Sequence, residues 1–96
     1  MNLTPGLVTI TTDGTIGRAG VPVRVFHVQL SSGTQNSTVY LRHGSTVSDS
    51  IVFTLEGTNS KTVDLPINGG MYFERGCFAD VDTAVSYVSI VYSEEK

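Results

Sequence analysis

The stretch GGMYFERGCFADVDT, Gly69 to Thr83, holds the only cysteine of the chain, a Glu–Arg pair and two aspartates one residue apart. It reads either as a small acidic site or as two β-strands and a turn. As backbone, Met71–Glu74 and Cys77–Val81 are strands and Arg75–Gly76 is a tight reversal, with Phe73 facing inward. On a strand Asp80 and Asp82 project from one face with Cα atoms about 7 Å apart, and such a pair holds a hard cation only if more oxygen ligands converge. The segment lacks the D-x-[DN]-x-[DN]-G pattern of a calcium loop. Aspartates entering a turn bond the backbone that follows them. The stretch therefore reads as a hairpin with solvated charges, and no metal or cofactor is expected.

Working outward, the same short alternating runs recur, while helix formers are scarce and Val, Thr, Ser and Gly abound. LVTITT (Leu7–Thr12) precedes Asp13–Gly14, a two-residue hairpin signal. Arg24–Leu30 puts Phe26, Val28 and Leu30 on one face, and Val25, His27 and Gln29 on the other. In the next run Val39 and Leu41 point inward. His43–Ser50 is the longest loop and flexible by composition. Ile51, Phe53 and Leu55 share a face, then Val63 and Leu65 until Pro66, and Asn68–Gly70 turns the chain. About eight strands at ten-residue spacing predict an all-β fold, a small antiparallel β-sandwich of jelly-roll type.

Ninety-six residues are one domain, 1–96, with residues 1–6 expected as a flexible arm and 93–96 as a frayed tail. The net charge of −3 argues against duplex DNA and an anionic membrane surface, so neither nucleic acid nor membrane is an expected partner. MNLTPGLV does not read as a secretory signal, and no apolar run approaches the roughly 20 residues of a membrane span. A lone cysteine forms no internal disulfide and reads as a small buried hydrophobe.

The last strand, Val85–Tyr92, is apolar on both faces. Val88, Ile90 and Tyr92 share one face; Val85, Tyr87 and Val91 share the other. Either it is a central strand covered by its own chain, or its second face is buried against another subunit together with Val23, Val25, Tyr40 and Val52. The second alternative predicts a homo-oligomer.

Catalytic constellations are weak. His43, Ser45 and Asp49 contain the atom types of a triad, but within seven residues of one loop, where known triads draw on separate elements. Asp13–Gly20 has glycines but no helix to follow them for a phosphate. Tyr40 and Tyr72 are candidates for stacking on sugars or bases. No catalytic residue is assigned, and an enzyme is not expected.

The block VPVRVFHVQLSSGTQNSTVYLRHG together with INGGMYFERGCFADVDTAVSYVSIVY, within Val21–Tyr92, resembles a group of small virion proteins of tailed bacteriophages. Gly70, Phe73, Gly76, Asp80, Val88, Ile90 and Tyr92 occupy the places of the group's pattern. The resemblance implies a capsid decoration or cement protein on the capsid surface, made in the host cytoplasm. It would bind the major capsid protein or other virion proteins, as a trimer if it sits at capsid three-fold sites. A tail, fibre or head–tail connection module, or a carbohydrate-binding sandwich, is the alternative. The resemblance brings no active-site residues.

Overall fold

A computed structural model describes residues 4–95. Eight strands follow one another: β1 (Thr4–Ile10), β2 (Gly14–Ile16), β3 (Val23–Ser32), β4 (Ser37–His43), β5 (Ile51–Gly57), β6 (Thr62–Phe73), β7 (Cys77–Val81) and β8 (Val85–Glu94). The β-branched, glycine-punctuated composition leads to this outcome, because such side chains pack well on a pleated surface and lose rotamer freedom in a helix.

The pairing is that of a long ribbon folded on itself. β1 pairs with β8, β2 with β7, β3 with β6 and β4 with β5, all antiparallel. Further ladders between β3 and β8 and between β4 and β7 close the ribbon into two sheets, ordered β1-β8-β3-β6 and β2-β7-β4-β5. This is the wrapped arrangement of an eight-stranded jelly roll. The fold expected from the alternation is the fold observed.

The connections differ from expectation. Only β4 and β5 are consecutive strands in one sheet; every other connection arches from one sheet to the other. The Asp13–Gly14 signal therefore joins β1 to β2 across the sandwich. The opening stretch is not a hairpin either, since β6 pairs with β3 whereas β7 lies between β2 and β4. Turn residues report a local reversal of the chain, and an arch between sheets uses the same backbone shapes as a hairpin within one. Gly76 adopts φ +97 in this arch, and its amide donates to the Phe73 carbonyl.

β6 runs through Pro66 and through Asn68–Gly70, where a turn was expected. Its register with β3 passes from Val25–Met71 to His27–Pro66, so four residues of β6 oppose Phe26 alone. Gly69 and Gly70 take φ +81 and +82, and the bulge they form keeps the strand continuous. Pro66 is tolerated because β6 is an edge strand.

β3 slips at the same place, carrying Phe26 as one extra residue against β8 between the pairs Val25–Tyr92 and His27–Val91. Val28 and Leu30 face the core as expected, but Val23 and Val25 are fully buried as well, while Phe26 is only half-buried beside Gly70. An extra residue in a strand flips the face of everything before it. The core comprises these together with Ile16, Val39, Leu41, Phe73, Cys77, Ala79, Val85, Val88 and Ile90. Ile51, assigned inward by alternation, is exposed at the start of β5.

At both ends the described residues extend the strands. Thr4–Gly6 belongs to β1 and pairs with β8; the rest of the expected arm, residues 1–3, lies outside the described residues. At the other end Ser93 is buried and Glu94 closes β8. Glu94 accepts from Arg18, and Glu95 accepts from Arg24 Nε at 2.7 Å. Lys96 lies outside the described residues.

Candidate interaction surface

β8 takes the central place in its sheet, between β1 and β3. Its inward groups are Val88 and Ile90, as the alternation predicts. Its outer face is partly satisfied within the chain: Thr9 Oγ1 and Ser89 Oγ lie 3.0 Å apart, and the Tyr87 hydroxyl donates to Gln29 Oε1. Of the residues expected at a subunit contact, Val23, Val25 and Val85 are buried in the protein's own core and cannot touch a partner. The bulge at Phe26 moved the first two. Tyr40, Tyr87 and Val91 are half-buried, and Val52 is exposed.

Among the described residues the exposed large apolar side chains are Leu7, Val47, Ile51, Val52 and Tyr72. Leu7 stands on the edge strand β1, opposite Val91 of β8. Val47, Ile51 and Val52 cluster at the β4–β5 loop and the start of edge strand β5, where the register shifts between Leu41 and Arg42. Sequence reading missed Leu7 and Val47, and it placed Ile51 inside. An unbroken alternation cannot reveal a strand whose first residues sit past a bulge.

The aspartates of the opening stretch are occupied. Arg42 grips Asp80 Oδ2 through Nε at 3.1 Å and Nη2 at 2.8 Å, while its Nη1 donates to the Asp49 carbonyl. Asp82 lies just past β7 and caps two amides: Thr38 N donates to Oδ2 at 2.8 Å and Ala84 N to Oδ1 at 2.9 Å. The bond from the Ala84 amide to Asp82 is the turn chemistry expected of it, whereas Asp80, expected as a solvated charge, is paired with Arg42. Among the described residues no group of three or more His, Cys, Asp or Glu side chains converges as metal ligands would.

His43, Ser45 and Asp49 do not meet as a triad. His43 Nε2 accepts the Arg75 amide at 3.0 Å, so it serves the arch between β6 and β7. Asp49 Oδ2 accepts the amides of Ser45 and Thr46 and the Thr46 hydroxyl. The Thr46 and Ser45 amides, followed by the hydroxyl, hold this carboxyl below the usual carboxylate range. A Cβ on Gly44 would strike that carboxylate. The loop that composition marked as flexible is thus knit around Asp49.

Burial pushes the Cys77 thiol up to about 12, which removes it as a nucleophile at neutral pH. His27 sits 3.3 Å from Asp64 on the outer face of the β3–β6 pair. Both tyrosines considered as stacking platforms carry an arginine over the ring: Arg24 lies 5.1 Å from the Tyr72 centroid and Arg42 5.8 Å from that of Tyr40. Those faces are already in use.

No family model matches the chain, and no curated protein does. Among solved structures, the coat protein of tobacco streak virus is similar. The TM-score is 0.40 and the identity 9%, over 93% of this chain and 85% of that chain.

Proposed function

We propose that this protein is a structural component of a virion, and specifically a capsid decoration or cement protein that works by binding shell subunits. The observation that carries this reading is the placing of exposed apolar side chains on edge strands of a jelly roll. Leu7 stands on β1, Ile51 and Val52 on β5, and Val47 in the loop beside them. A protein that acts by shape and burial needs such surfaces, and an unguarded edge accepts a further strand through main-chain hydrogen bonds. The arginine–carboxylate pairs Arg42–Asp80 and Arg24–Glu95 hold the scaffold together, leaving the apolar groups as the contact chemistry. The resemblance of Val21–Tyr92 to small virion proteins of tailed phages points the same way. In this reading the major capsid protein is the partner and the capsid surface the location.

The test is to locate the protein in purified particles and count it. Copies in the hundreds on the shell support the reading. Six or twelve copies at the neck or tail would replace it with a connector or tail role. Absence from particles would end it.

A further inference from the structure

We propose that β1 is a self-association edge, at which a second copy of this chain adds its own β1 antiparallel across a two-fold axis. The inference concerns the isolated protein and does not depend on the virion reading. Its two-fold closure would form pairs in place of the trimer that capsid three-fold sites imply.

The four sheet edges are β1, β6, β2 and β5, and three are guarded against strand addition. β2 is only three residues long. β5 has a register irregularity at its start and carries Glu56. β6 contains Pro66, the bulge opposite Phe26, and the exposed Asp64. These are the usual devices that blunt an edge. β1 differs: it pairs with β8 over seven consecutive residues without a shift, and TPGLVTI holds no charge. Pro5 lacks an amide hydrogen, so the free ladder is Gly6–Ile10. Leu7, at 69% exposure, stands on this edge. An unguarded, uncharged strand with an exposed leucine recruits another strand.

Charge identifies the second strand as a copy of the first. Arg18 bonds Glu94, the residue paired with Thr4, so it marks the start of β1. Its side chain is 61% exposed. At the far end, past Ile10, an open cleft is lined by Thr11, Thr12, Asp13, Val81, Asp82 and Thr83. Asp13 Oδ1 accepts the Val81 amide at 2.8 Å, and its carboxylate retains further acceptor capacity. Antiparallel pairing about a two-fold brings the Arg18 end of each strand to the acidic end of the other. An isologous contact requires such self-complementarity. With the ladder centred on Val8, each Leu7 lies opposite the second copy's Thr9. Sheet β1-β8-β3-β6 then continues as eight strands across the axis.

Sedimentation equilibrium of the wild type, Leu7→Lys, Arg18→Asp and Arg18→Asp with Asp13→Arg tests the proposal, at low and high salt. The wild type is expected to approach twice the monomer mass at protein concentrations up to the order of 1 mM. Leu7→Lys should raise the dissociation constant at least about tenfold, with an unchanged melting temperature showing that it folds. Arg18→Asp should weaken association less, the charge swap should restore it, and salt should weaken only species that keep the Arg–Asp pair. A wild type that stays monomeric overturns the proposal, and so does a dimer indifferent to Leu7→Lys. Loss with Leu7→Lys but no response to Arg18→Asp or the swap overturns the Arg18–Asp13 contact.

Discussion

β3 and β4 both run through the middle of their sheets with apolar residues at every second position, but they meet the core differently. In β4, Ser37, Val39 and Leu41 are all buried, and the alternation holds from Ser37 to Arg42. In β3 the buried set changes parity at Phe26, from Val23 and Val25 to Val28 and Leu30. The difference originates in the pairing. β4 pairs with β7 without a shift and slips against β5 only after Leu41, whereas β3 slips at Phe26 against both neighbours: Phe26 is one extra residue against β8, and four residues of β6, three in surplus, lie opposite it. A strand's own pattern thus tells which residues face inward only when its neighbour keeps step.

Substitutions can break or sharpen that contrast. The largest effect is expected at β4, where Leu41→Ala removes a fully buried side chain and should cost about 2–5 kcal/mol in denaturant unfolding. In β3, Val25→Ala should cost about 1.5–3 kcal/mol, because Val25 is as buried as Leu41. If the alternation continued unbroken through Phe26, the same change would be nearly silent, so this one measurement decides whether the bulge exists.

Gly70→Ala attacks the β6 side of the irregularity at Phe26. Gly70 has φ +82, and an added Cβ would lie 2.5 Å from Arg24 Cγ and 2.9 Å from Phe26 Cε1. A loss of about 1–3 kcal/mol is expected. The counterpart Gly14→Ala has open space and should change stability by no more than about 0.5 kcal/mol.

Titration probes the loop that joins β4 to β5. The Asp49 carboxyl is depressed in the folded protein, so its contribution is present above the unfolded value near 3.8 and fades as pH falls through the folded one. Asp49→Asn should therefore lower the neutral plateau of a melting-temperature profile slightly and leave its most acidic points unchanged, so that the acid limb flattens. Cys77 gives a signal of opposite sign at alkaline pH. Its thiol is raised from 9.0 to about 12, so stability is complete below pH 9 and declines as pH rises through that window. At pH 8 the folded protein should resist iodoacetamide for as long as it stays folded, and labelling that outpaces unfolding would contradict the burial.

Much of this architecture was legible in residues. Strand positions, the inward faces of Val39, Leu41, Val88 and Ile90, and the eight-stranded jelly-roll class follow from alternation and turn chemistry, which are local. The turn role of Asp82 follows from the same short-range bonding. What escaped was relational. Asp13–Gly14 and Arg75–Gly76 look like hairpin turns because a reversal's backbone does not record which sheet the chain enters next. Val23 and Val25 looked like contact residues because the slip at Phe26 that buries them exists only in the pairing of β3 with β8 and β6. The pairing of Arg42 with Asp80, 38 residues apart, could not be read from either residue.

By itself, then, the sequence determined the strand-forming segments, the single buried thiol and the lack of a local catalytic or metal-binding motif, since each depends on residue type and near neighbours. Only the tertiary structure decided which strands pair, which face of β3 turns inward and which edge stands unguarded. The physical reason is that hydrogen-bond register is set between strands, and one residue of slip in a distant partner reverses every side chain that follows.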